Sequence, residues 1–150
     1  MKKVLTALTI LSASFIAQAE WVHIENVDLM TDEDKSIIAT NDGRRKMITL
    51  RCDKESPKGY YVILSFDYLG ESNDVYVRFD KDKQFKVNGA ESTRGNAIFI
   101  NSENYEKLLN GFKAKSKVAF QTTDFRGTKK QAVFDLNGFS KELSKMNCVK

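Results

Sequence analysis

The stretch KMITLRCD, residues 46–53, sets the fold class. Ile48, Leu50 and Cys52 fall on one side of the alternation and Met47, Thr49 and Arg51 on the other, the period of a strand with one face in a core. Downstream, GYYVILSFDYLG (59–70) is apolar in both phases, with Tyr60, Val62, Leu64, Phe66 and Tyr68 on one side and Tyr61 and Ile63 on the other; this predicts a central strand covered on two faces. DVYVRFD (74–80) alternates again, Val75, Val77 and Phe79 against Tyr76, Arg78 and Asp80. Pro57-Lys58-Gly59, and Gly70 with Asn73 and Asp74, supply the turns between these strands.

Farther along, residues 81–100 read as one or two short strands joined by a loop, and then the period changes. SENYEKLLNGFKAK (102–115) places Tyr105, Leu108, Leu109 and Phe112 at i, i+3, i+4 and i+7, the apolar stripe of a helix, with Ser102 as its expected N-cap and Gly111 as a weak point. Two more strands, KVAFQTTDF (117–125) and KQAVFDLN (130–137), form a hairpin through Arg126-Gly127-Thr128. Asn137-Gly138 and Ser140 introduce a short helix carrying Phe139, Leu143 and Met146 on one side. Upstream, TDEDKSIIAT (31–40) fits either a helical turn capped by Thr31 or a polar entry to a strand. Strands, helix, strands, helix with short links predict a mainly β, α+β domain: an antiparallel β-sandwich or half-open barrel with one or two packed helices.

The first 20 residues, MKKVLTALTILSASFIAQAE, have Lys2 and Lys3 ahead of an apolar run and end in Ala17-Gln18-Ala19, the pattern of a secretory signal cleaved after Ala19. The run is shorter than the ~20 residues of a bilayer span, so no transmembrane segment is expected after cleavage. Residues 1–19 are thus read as the signal and 20–150 as a single disulfide-linked domain in the periplasm. Loss of Lys2 and Lys3 leaves 22 basic against 20 acidic residues, and no aromatic–basic ladder accompanies the lysines, which argues against a nucleic-acid partner. Two cysteines in an oxidising compartment make Cys52–Cys148 the economical pairing, a structural bond rather than a redox pair, since no C-x-x-C spacing occurs.

No catalytic residues, metal ligands or cofactor are indicated. His23 is the only histidine, four positions into the mature chain, and a zinc site would need unusual all-carboxylate ligation. The expected function is therefore non-enzymatic. The candidate surface is Arg51, Tyr76, Arg78 and Asp80, charged or aromatic positions on strand faces opposite the aliphatic residues. They read either as a salt-bridged structural face or as a patch for a protein partner.

The succession DLMTDEDKSIIAT, ITLRCD, VYVRFD, NYEKLLNGFKAK and AVFDLNGFSKEL with a terminal cysteine resembles the exported proteins related to the type VI secretion accessory protein TagO, also called VasI. The resemblance covers nearly the whole mature chain and implies a periplasmic accessory protein without a catalytic residue, acting through protein contacts. One departure is the absence of the tryptophan often found after the R-F-D strand, where this chain reads QFKVNGAEST; it leaves room for a divergent branch with a different partner. The alternative is a small envelope inhibitor or phage-exclusion factor that blocks a lysozyme or phage protein with a projecting loop such as NGAESTRGN (88–96).

Overall fold

The computed structural model describes residues 20–70 and 74–149; the expected signal segment, 1–19, lies outside them. Nine strands follow one another as β1 (Val22–Ile24), β2 (Ile37–Asn41), β3 (Met47–Cys52), β4 (Tyr60–Ser65), β5 (Asp74–Phe79), β6 (Phe85–Glu91), β7 (Ala97–Ile100), β8 (Lys117–Thr123) and β9 (Lys129–Asp135). Helix α1 (Tyr105–Ala114) separates β7 from β8, and α2 (Phe139–Leu143) follows β9. All pairings are antiparallel, in the order β1-β2-β3-β4-β7-β6-β5-β8-β9, and the sheet is open.

The sheet turns its corner within β6. Residues up to Asn88 pair with β5, whereas Gly89, Ala90 and Glu91 pair with β7. Backbones approach closely there: a β-carbon on Gly89 would lie 2.4 Å from the Ile98 side chain and 2.7 Å from the Phe99 carbonyl oxygen. The roll brings the two ends of the sheet together. Trp21, just before β1, donates its indole N–H to the Asp135 carbonyl on β9 at 2.9 Å, and the Lys46 ammonium donates to the Gln131 carbonyl. Side chains thus bridge the seam of a half-open barrel and occupy edge groups that would otherwise be free to pair.

The alternation in the sequence maps directly onto burial. Ile48, Leu50 and Cys52 of β3 and Val75 and Val77 of β5 are fully enclosed. β4 is central, between β3 and β7, but no second layer covers its outer face. Phe99 of β7 does so, lying opposite Ile63 and edge-on to Tyr61 at 5.7 Å. Helix α1 lays Tyr105, Leu108, Leu109 and Phe112 into the core, where Phe112 meets Phe139 at 5.2 Å, Phe79 at 5.8 Å and Trp21 and Phe120 at 6.5 Å each. The Tyr105 hydroxyl accepts the Val62 N–H at 3.2 Å, beyond the last residues of β4 that pair with β7. Its ring stacks on Tyr60 at 5.0 Å, and burial, reinforced by Tyr105, pushes the Tyr60 phenol up to about 12.

The disulfide Cys52–Cys148 is formed, with Cα atoms 5.7 Å apart and 96 residues of separation. It ties the segment after α2 to β3, next to buried Met146. One expectation needs correction. Ser102 does not cap α1: it opens a 3-10 turn (Ser102–Asn104), and Asn104 at the N-cap makes no side-chain capping bond. Of the two readings of segment 31–40, the structure shows the polar entry to a strand: a tight turn organised by Asp28 leads into β2. Strand β1 and buried Trp21 were not anticipated at all.

Candidate functional site

The structure separates the four residues singled out in the sequence. Arg51 lies on β3, with β4, β7 and β6 between it and β5 in the sheet. Its guanidinium is 3.7 Å from the Asp53 carboxylate and 5.7 Å from the Tyr61 ring centroid. Asp80 is one residue beyond β5 with φ +44°, and its carboxylate accepts the N–H groups of Lys117 at 2.8 Å and Ser116 at 3.3 Å, joining the β5–β6 turn to the start of β8. Tyr76 and Arg78 do share the outer face of β5, but Arg78 folds back on its own turn, with Nε donating to the Asp82 carbonyl at 3.0 Å. What remains beside Tyr76 is a hollow of about 340 Å3 with Gln121, Gln131 and Val133, two of whose amides already bond each other at 2.8 Å.

A better furnished surface lies at the end of the barrel away from α1. Antiparallel connectivity gathers there the β2–β3, β6–β7 and β8–β9 turns together with residues 66–70 of the β4–β5 connection. Backbone bonds stitch the loops: Leu69 N–H to the Gly95 carbonyl at 2.7 Å, Phe125 N–H to the Leu69 carbonyl at 2.8 Å, and Phe66 N–H to the Asn96 carbonyl at 2.8 Å. Leu69 points inward and is fully buried, which anchors its neighbour Tyr68 outward. Tyr68 and Phe125 meet edge to face at 5.7 Å while staying 54% and 55% exposed, a large apolar area left in water. Arg126 lies 5.0 Å over the Phe125 ring, and Arg94 joins both aromatics around a hollow of about 510 Å3.

Four of the six arginines, Arg44, Arg45, Arg94 and Arg126, stand in these turns. Glu91 lines the same hollow, and two further carboxylates shape the turns. Asp42 accepts the N–H groups of Arg44 at 2.8 Å and Lys46 at 3.1 Å; Asp124 accepts those of Thr128 at 2.9 Å and Arg126 at 3.0 Å. Burial by itself would raise the Asp124 carboxyl, but those two N–H groups and Lys130 hold it below the usual range. The result is a rigid, positively charged, aromatic surface, rich in the residue types that dominate protein interfaces.

Sequence reading missed this surface because Tyr68 and Phe125 were placed in strands. A usable signal existed: DYLG (67–70) and DFRG (124–127) share the pattern Asp-aromatic-x-Gly, each ending in a left-handed glycine, φ +65° and +81°. Among the described residues no group of three His, Cys, Asp or Glu side chains could hold a metal ion. His23 sits on β1 opposite Ile38, its Nε2 buried without a partner among those residues.

No family model matches the chain, and no curated protein matches it. Among solved structures it is similar to the crystal structure of invasion associated protein B from Bartonella henselae, at 15% identity over 85% of this chain and 90% of that one, with a TM-score of 0.58. At that identity the likeness shows a shared fold and carries no residue roles.

Proposed function

We propose that this chain is an exported cell-envelope protein that works by binding a protein partner through the turn end bearing Tyr68, Arg94, Phe125 and Arg126, without chemistry of its own. The exposed Tyr68–Phe125 pair flanked by arginines carries the reading: loops stitched by backbone bonds lose little freedom on docking, and aromatic and arginine side chains contribute most per contact. The disulfide supports an oxidising compartment, in keeping with the signal pattern of residues 1–19. Among the described residues no helix is long and apolar enough to cross a membrane. An accessory role in type VI secretion rests on the sequence resemblance alone. The inhibitor alternative called for a projecting 88–96 loop, but that segment is the end of β6 and a tight turn, with Ser92 N–H bonded to Ala97 at 2.8 Å and Gly95 N–H to Ser92 at 2.9 Å.

The test compares two double variants in crosslinked pull-downs from periplasmic extract of the native host, the partner being identified by mass spectrometry. Tyr68→Ala/Phe125→Ala should reduce recovery at least tenfold, roughly 1.4 kcal/mol, with little change in melting temperature. Tyr76→Ala/Arg78→Ala should leave recovery within about twofold. The reverse pattern would return the site to the β5 face and sink the proposal.

A further inference from the structure

The hairpin that begins with β1 and β2 is longer than those strands. The register that pairs Val22 with Ala39 continues through a bridge between Val27 and Asp34 and through Asp28 N–H to the Glu33 carbonyl at 2.9 Å. It ends in a four-residue tip, Leu29, Met30, Thr31 and Asp32, at the end of the barrel opposite the arginine turns. Asp28 shapes that tip: its carboxylate accepts the N–H groups of Met30 at 2.8 Å and Thr31 at 3.1 Å, and its carbonyl accepts the Asp32 N–H at 2.8 Å. The stem is braced from the side. Lys35 lies 3.3 Å from both Glu33 and Asp53, Lys54 pairs with Glu33, and the Cys52 N–H bonds the Ser36 carbonyl at 2.9 Å, next to the disulfide.

On this rigid mount Leu29 and Met30 are 92% and 91% exposed. Five of the ten large apolar side chains exposed among the described residues belong to this one hairpin, the others being Val22, Ile24 and Val27. Val22, Ile24 and Val27 are about half covered, whereas Leu29 and Met30 stand almost wholly in water and gain little from the fold. Around them stand the carboxylates of Asp28 and Asp32; Glu33 is paired with Lys35 and Lys54, and Asp34 turns inward, one oxygen accepting the Ser36 N–H at 2.8 Å and the other buried. The Met30 N–H holds the Asp28 carboxyl, and the Lys54 ammonium holds that of Glu33, below the usual range, so both are charged at neutral pH. Acidic side chains around an apolar point are repelled by anionic lipid headgroups and attracted by lysine and arginine.

We propose that the Leu29–Met30 tip is a docking knob that inserts into an apolar pocket rimmed by lysine or arginine on a protein partner. The preformed hairpin means that little ordering is needed on docking. With the arginine turns at the opposite pole, the chain can hold two partners at once. This inference stands independently of the turn-end reading.

The test places a photo-crosslinking amino acid at Thr31 in the full-length protein expressed in its native host, with the crosslinked peptide identified by mass spectrometry. The expected product is an adduct with a different protein, at an apolar site flanked by lysine or arginine. Its yield should fall at least tenfold in Leu29→Ser/Met30→Ser and severalfold in Asp32→Asn, with melting temperatures within about 2 °C of the parent because these side chains are already in water. In parallel, vesicles of phosphatidylethanolamine and phosphatidylglycerol should not carry the purified protein in flotation. Adducts only with lipid, only with a second copy, only at sites without basic residues, or none at all would overturn the proposal, as would flotation that depends on Leu29 and Met30.

Discussion

Gly111→Ala is the substitution for which this structure and helix propensity disagree in sign. In an exposed helix interior, replacing glycine by alanine stabilises by roughly 0.8–1 kcal/mol. In α1, however, the added β-carbon would lie 2.1, 2.2 and 2.6 Å from three carbons of the Phe79 ring, where carbon atoms normally rest about 3.5–4 Å apart. The ring must retreat by more than an ångström, and it has little room: Phe79 is buried and wedged between Phe85 at 6.1 Å and Phe112 at 5.8 Å. Overpacking of this kind costs about 1–3 kcal/mol. Set against the propensity gain, the net expectation is a loss of up to about 2 kcal/mol, or a fall in Tm of up to roughly 10 °C for a domain of this length. Thermal unfolding followed by circular dichroism measures it. Phe79→Leu in the same chain should remove the clash, so that the double variant is at least about 1 kcal/mol more stable than the two single effects add up to. A Tm for Gly111→Ala that rises by several degrees would refute the packing of α1 on β5.

Replacing Cys52 or Cys148 with serine should lower stability by about 3–5 kcal/mol, and the double variant should cost little more than either single one, because each single already lacks the cross-link closing 96 residues. Chemical denaturation measures this, and free thiol at both positions of native protein would remove the clasp altogether. Acid unfolding has a defined direction. The carboxyls of Glu33, Asp28 and Glu142 are held below their ordinary values of 4.5 for Glu and 3.8 for Asp, by the Lys54 ammonium, the Met30 N–H and the Lys145 ammonium respectively. Their contribution is therefore fully present above about pH 5 and is lost as pH falls through the lower folded-state values. Tm should stay level from pH 8 to 5 and drop below pH 4; a Tm that rises on acidification through this range contradicts the assignment.

Local periodicity made much of the fold legible. Strands β3 and β5 show clean alternation, and the stripe on α1 names the residues that fill the core. Strand β1 was not legible, since three residues offer no period to read and its hold on the sheet is tertiary, through Trp21 packed 4.8 Å from Phe139 and bonded to Asp135. Gly111 looked like a flaw in the helix because only the spatial neighbour Phe79 gives it a purpose. The candidate surface was grouped on a local signal of the same kind. Alternation reports which face of a strand a residue occupies, not which strands lie side by side, so Arg51 was grouped with Tyr76 and Arg78 although β4, β7 and β6 separate their strands. Tyr68 and Phe125, read as strand residues, acquire their common position only when the β4–β5 and β8–β9 connections meet at Leu69.

The turn-end claim is tested most directly by placing one photo-crosslinking residue at Phe125 and, in a separate chain, another at Tyr76, and comparing the adducts formed in the native envelope. The account predicts a discrete protein adduct from position 125, at least tenfold stronger than from position 76. An adduct from position 76 with none from position 125 would contradict it.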